Sequence, residues 1–195
     1  MTMNRYRRLI PAALGLATLV LASTSVTAQE PVARFSAVAV DMLSTNPGAG
    51  TVPVNIVVTR WSTDAERDQL LTTLMEKKSD ALLKALRDMP RAGSVAASGG
   101  VGFDIRFARR IQEPGQPERI VLVSDRPMSF WERRDAGRTT DYPFTVVELR
   151  MPPSGDGEGR IAVAAQISAD AVNRTIVIEN YNDQPLGLRA VKRER

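Results

Sequence analysis

This sequence of 195 residues contains no cysteine and no histidine. Without cysteine there are no disulfides, so the fold must be stabilised by packing alone. The two absences together exclude a Ser–His triad, a cysteine nucleophile, a zinc site with its usual ligands and a haem bound through histidine. We therefore expect neither a transition metal nor a cofactor.

Lysine is also scarce, which limits serine chemistry. The chain has only Lys77, Lys78, Lys84 and Lys192. None of them follows a serine by three residues, as the S-x-x-K arrangement of a serine nucleophile requires. The sequence therefore offers no catalytic residue of these classes.

The N-terminal segment has the layout of a secretory signal peptide. A basic start precedes the uncharged apolar run Leu9–Ala22, and the small residues Val26 and Ala28 follow it. The apolar run is shorter than the roughly 20 residues of a membrane helix. We expect residues 1–28 to be removed, which leaves an exported protein, periplasmic or extracellular, without a stable membrane span. An uncleaved membrane anchor is the alternative.

Removal of this segment also changes the charge. The formal net charge of +4 includes Arg5, Arg7 and Arg8, so it falls by three, to +1, in the mature chain. This small charge gives no reason to expect nucleic-acid binding. The mature chain, residues 29–195, fits a single domain large enough for a core. Its basic tail near residues 191–195 is expected to be frayed.

Short alternating segments separated by turns predict a mainly antiparallel sheet of about seven to eight strands. The segments are Arg34–Leu43, Thr51–Trp61, Val101–Phe107, Arg119–Asp125, Pro143–Met151, Gly159–Ser168, Arg174–Tyr181 and, as an edge strand, Leu186–Arg193. Helical periodicity occurs once, as a helical pair inserted between strands 2 and 3. The predicted fold class is therefore α+β.

The helical pair begins at a capping box formed by Thr63 and Glu66. Ser79 has the position of a second cap, so the sequence leaves open whether residues 63–89 form two helices or one kinked helix. We expect these helices to cover one sheet face and the other face to meet water or a partner. The small and polar residues of that second face are Ala162, Ala164 and Gln166.

Acidic residues supply the enzymatic alternative. A glycosidase needs only two carboxylates at a set separation. The candidates are Asp125, Glu132, Asp135, Asp141, Glu148 and Glu179. The sequence does not give their separations, so a carboxylate-dependent hydrolase of envelope glycan stays as the alternative to a non-catalytic protein.

The connection Ser129–Phe144 is the richest in residues typical of binding surfaces. Aromatic and arginine side chains are enriched at binding hot spots and suit stacking and bidentate contacts with anionic groups. The candidate binding residues are Trp131, Arg133, Arg134, Arg138 and Tyr142. In the simpler interpretation these residues only cap the sheet and pair with nearby acids. We interpret the protein as an exported binding or accessory module for an unknown protein or a polyanionic envelope component.

Three stretches of the chain resemble a group of small secreted bacterial proteins of unknown function. They are Val123–Glu132, Thr140–Ile167 and Ile178–Leu188. The resemblance covers most of the mature chain. It implies export and a shared fold, and it implies no activity and no catalytic residue.

Overall fold

The computed structural model describes residues 30–40, 50–128, 141–170, 175–181 and 185–194. The elements are β1 (Ala33–Val40), β2 (Thr51–Val58), α1 (Asp64–Asp88), β3 (Gly93–Ala97), β4 (Phe103–Ile105), β5 (Phe107–Ile111), β6 (Glu118–Ser124), β7 (Phe144–Met151), β8 (Gly157–Asp170), β9 (Thr175–Asn180) and β10 (Leu186–Glu194). All the strand pairs in these residues are antiparallel. The predicted α+β class and the helical insertion after the second strand are confirmed.

The sheet is curled, because its two ends meet. Its strand order is β4-β3-β2-β1-β10-β8-β7-β6-β5, and β9 extends the far half of β8. The first and last strands of this order are separated along the chain by Arg106 alone. The backbone N–H of Arg106 donates a hydrogen bond of 2.9 Å to the carbonyl of Val123 on β6. The nearly closed sheet therefore has an inner face and an outer face.

The sequence predicts fewer strands than the ten observed, and two segments account for the difference. The single strand expected over Val101–Phe107 is interrupted at Arg106, because the chain changes partner from β3 to β6 there. The small-residue stretch before it shows no strand periodicity, yet it contains β3. Gly93 fits this strand closely against β2, since a Cβ at that position would collide with the Val57 carbonyl oxygen.

The inner face of the sheet carries the main core. The alternation predicted for the second strand places Val54, Ile56 and Val58 inside, each only 1 % exposed. They pack with buried residues from the other strands, among them Phe35 and Leu122. Full burial of one such side chain contributes about 1.5–3 kcal/mol relative to leaving it in water.

The helical segment is one continuous helix of 25 residues, α1. The predicted capping box is present: the Thr63 hydroxyl accepts from the Glu66 N–H, and the Glu66 carboxylate accepts from the Thr63 N–H at 2.8 Å. Ser79 lies within α1, so this segment forms one helix and not two. In the described part of the chain, no helix combines the length and the apolar character needed to cross a membrane.

A second core lies between α1 and the outer face of the sheet. The apolar stripe of the helix packs on side chains from β5, β7 and β8. The buried residues of this core are Leu70, Leu74, Leu82, Leu86, Met89, Phe107, Phe144, Val146, Ala162, Ala165 and Ile167. The expectation that Ala162 and Ala164 meet water or a partner is wrong, because both are buried and Ala162 lies in this cluster. A small side chain at Ala162 suits the close approach of the helix to β8.

The N-terminus of α1 makes a pH-dependent contribution to stability. Glu66 accepts hydrogen bonds of 2.9 and 3.0 Å from Arg60, which hold the pKa of Glu66 below its ordinary value of 4.5. A carboxylate with a lowered folded pKa stabilises the fold above its unfolded pKa and loses that effect as pH falls through the folded pKa. We expect Glu66→Ala to lower the free energy of unfolding by about 1–2 kcal/mol at neutral pH.

Urea denaturation of the wild type and Glu66→Ala checks this expectation at neutral pH and at about pH 3. The difference between the two proteins should shrink at the lower pH. Glu76→Ala is the matched control, because Glu76 is exposed on the same helix and forms no ion pair within the described residues. A Glu66 effect that is equal at both pH values would contradict the ion-pair account.

Candidate functional site

An apolar groove lies between α1 and the outer face of the sheet. Its volume of about 630 Å³ falls in the range of small-molecule sites, roughly 300–1,000 Å³. All but four of its lining residues are apolar. The lining consists of Arg67, Leu70, Leu71, Leu74, Leu82, Leu86, Phe107, Arg109, Ile111, Arg119, Val121, Val123, Val146, Glu148, Ile167, Ile176 and Ile178.

The floor of the groove follows from the period-two alternation of three neighbouring strands. Phe107 on β5, Val123 on β6 and Val146 on β7 occupy adjacent register positions and line the groove together. Their neighbours in sequence point into the main core, where Leu122 and Val147 are fully buried. The outer face is therefore apolar at this end of the strands.

One wall of the groove is α1, and the opposite wall is the ribbon of β8 and β9. Ile178 pairs with Ile167 on β8, so these two side chains and Ile176 share one face of the ribbon. Ile176 is 46 % exposed and Ile178 is 49 % exposed. Within the described residues β9 pairs only with β8. The groove thus leaves large apolar side chains in contact with water, which is typical of an interaction site.

The end of the groove nearest the β5–β6 turn is charged. Arg119 on β6 and Arg150 on β7 are direct cross-strand partners. Arg119 is exposed, and its side chain has no hydrogen bond or ion pair within the part of the chain that the structure describes. Arg150 lies 3.4 Å from Glu148, and that carboxylate also lies 3.1 Å from Arg160. Like charges directly opposite each other are destabilising unless a counter-charge is near.

The two arginines on the helix side of the groove are already paired. Arg109 lies 2.8 Å from Asp64, and Arg67 lies 2.6 Å from Asp68. The hydrogen bond from Arg109 lowers the pKa of the Asp64 carboxyl, and the hydrogen bond to Asp68 raises the pKa of the Arg67 guanidinium. The Arg109–Asp64 pair joins the start of α1 to β5, whereas the Arg67–Asp68 pair lies within the helix. Among the described residues Arg119 is therefore the arginine of this site with most capacity for a ligand, and Arg150 lies directly beside it.

The aromatic–arginine surface predicted from the sequence falls almost entirely outside the described residues. Trp131, Arg133, Arg134 and Arg138 lie there, so their role stays a prediction. Tyr142 is described, and it is half-buried. Its ring centroid lies 5.4 Å from that of Tyr181 in an edge arrangement. Tyr142 is thus part of a contact between the start of β7 and the end of β9.

Some of the candidate carboxylates for the hydrolase alternative lie outside the described residues, and others lie within them. Glu132 and Asp135 lie outside the described residues. Asp125 lies 3.4 Å from Arg106, and Glu148 is shared by two arginines. The described residues contain no group of three or more acidic side chains placed to hold a metal ion. For Asp125 and Glu148, the geometry favours structural ion pairs.

The groove was not predicted from the sequence, although one sequence feature indicated it. The run Ile176–Ile178 places apolar residues on both faces of a short strand. A strand that is covered by the core on one face only would alternate apolar and polar residues. No sequence pattern indicates that Arg119 lacks an ion-pair partner within the described residues, because this depends on which residues lie beside it in the sheet.

Comparison of the chain with models of protein families, with curated proteins and with solved structures found no match. The function of the site must therefore be inferred from its own geometry and chemistry.

Proposed function

We propose that this protein is an exported, non-catalytic binding module that holds an apolar chain in the groove between α1 and the sheet. The observation that carries the proposal is the groove itself, with Ile176 and Ile178 about half exposed on its wall. Export is supported by the signal-peptide pattern of residues 1–28.

The driving force for such binding is the removal of apolar surface from water. Each buried methylene contributes about 0.8 kcal/mol, and each Å² of apolar surface contributes about 25 cal/mol. The groove is formed by side chains that are already packed, since Leu74 and Phe107 are buried in the α1 core. A preformed site loses little conformational entropy when the ligand enters, which favours measurable affinity.

The predicted surface around Trp131 belongs to the same class of function. Its connection joins the end of β6 to the start of β7, which is the end of these strands where Val123 and Val146 lie. The charged residues Arg119 and Arg150 lie at the other end. We keep the Trp131 surface as a separate proposal for a protein or polyanionic partner.

Titration with the neutral fluorescent dye N-phenylnaphthylamine tests the binding function. We expect the mature chain, residues 29–195, to give saturable fluorescence enhancement with one site per molecule. A water-soluble compound with an alkyl chain, added at increasing concentration, should displace the dye, because both occupy the same apolar groove.

Two outcomes would contradict the proposal. One is the absence of saturable dye binding to the folded protein. The other is dye binding that no alkyl chain displaces, since a competitor for the groove must displace it. Circular dichroism of the same sample verifies that the protein is folded during the titration.

A further inference from the structure

The charged end of the groove contains an arginine whose charge is not matched by a nearby acid. Arg119 has no side-chain partner in the described residues, and it stands directly beside Arg150 in the sheet. Arg150 shares Glu148 with a third arginine, Arg160. The carboxylate therefore balances only part of the positive charge that the two strands place together.

This arginine pair also faces a second hollow, of about 650 Å³, which is lined by Ile111, Arg119 and Arg150 among others. Two of the three acids in its lining are already paired. Glu158 lies 3.4 Å from Arg189, and Asp156 lies 3.9 Å from Lys192. The third acid, Glu113, is exposed at the β5–β6 turn. An anionic group entering the hollow would therefore meet Arg119 without displacing an existing ion pair.

The apolar groove and the charged hollow are neighbours that share two lining residues. Both are lined by Ile111 and Arg119. Arg119 lies four positions before Val123 on β6, a distance of about 13 Å along an extended strand. A chain lying in the groove along this strand would place its end beside Arg119 and Arg150.

We propose that the ligand is a long-chain carboxylate, with its alkyl chain in the groove and its carboxylate bound by Arg119 and Arg150. This inference rests on the proposed function of the groove. A single chain suits one groove of this volume. Guanidinium groups bind carboxylates through two parallel hydrogen bonds, and Arg119 has no side-chain partner within the described residues.

The test compares ligands that share one alkyl chain and differ in their head group. Laurate, lauryl alcohol and laurylamine are each used to displace N-phenylnaphthylamine from the wild type and from Arg119→Gln/Arg150→Gln. Arg34→Gln is the matched control, because Arg34 is an exposed arginine on β1, separated from β7 by β10 and β8. All concentrations stay below those at which the ligands form micelles.

We expect laurate to displace the dye from the wild type at a concentration about tenfold lower than lauryl alcohol, because a charge-assisted contact is added. The double variant should lose this advantage, so that laurate and lauryl alcohol displace the dye from it at similar concentrations. Arg34→Gln should behave as the wild type does.

Each other outcome overturns a defined part of this account. Equal displacement by laurate and lauryl alcohol overturns the assignment of the head group to the two arginines. It does not contradict binding of an alkyl chain in the groove. Stronger displacement by laurylamine overturns the sign of the proposed charge recognition. A laurate preference that survives in the double variant overturns the role of Arg119 and Arg150. The absence of saturable dye binding overturns the proposed function and this inference together.

Discussion

Phe144→Ala should lower the free energy of unfolding by about 3–5 kcal/mol, the range for truncation of a buried aromatic side chain. Phe144 is fully buried at the start of β7, in the cluster that joins α1 to the outer face of the sheet. Truncation removes contacts to both the helix and β8 and leaves a cavity between them. Urea denaturation followed by circular dichroism measures the change.

Tyr142→Ala is the matched control for this experiment. Tyr142 lies two residues earlier, is half-buried and contacts the edge of the Tyr181 ring. We expect it to cost about 1 kcal/mol, in the range of an aromatic pair at a partly exposed position. If Phe144→Ala costs no more than Tyr142→Ala, the packing of α1 on the sheet is not as described here.

Ile176→Gln/Ile178→Gln should weaken dye binding roughly thirtyfold. Each isoleucine is about half exposed in the free protein, so a ligand in the groove would cover the remaining half of each. The loss is about 1 kcal/mol for each side chain, and about 2 kcal/mol in total corresponds to the expected change in the dissociation constant. Fluorescence titration of the variant measures it.

Val177→Gln provides the control on the same strand. Val177 is 38 % exposed and lies between the two isoleucines, so its side chain points to the opposite face of β9. Its substitution should leave dye affinity unchanged. Equal losses in the two variants would show that β9 responds to any polar substitution, and thermal unfolding would then reveal a common loss of stability.

Much of the fold follows from local patterns in the sequence. Period-two alternation over Thr51–Trp61 predicted the second strand, which contains the core residues Val54 and Ile56, and the capping box of Thr63 and Glu66 predicted the start of α1. The interruption at Arg106 was not predictable in this way. Phe107 continues the alternation of the preceding strand, and only the pairing with β6 instead of β3 separates the two strands.

The candidate site depends on contacts that no local pattern contains. The walls of the groove come from α1 and from β9, which are far apart in sequence. Ile176 and Ile178 face a groove because α1 covers the same side of the sheet. The pairing of Arg119 with Arg150 depends in the same way on the register of β6 and β7. The aromatic–arginine connection, in contrast, has a composition that is visible in one stretch of sequence, which is why it could be proposed as a binding surface from sequence alone.

The most direct test of the central claim is to locate a bound alkyl chain on a protein comprising residues 29–195 by methyl nuclear magnetic resonance during titration with laurate. The claim is that the groove between α1 and the sheet holds the chain. We expect the methyl resonances of Val121, Ile176 and Ile178 to shift in a saturable way, while those of Ile56 in the main core do not. Saturable shifts confined to the main core, or binding that leaves both isoleucines of β9 unshifted, would contradict it.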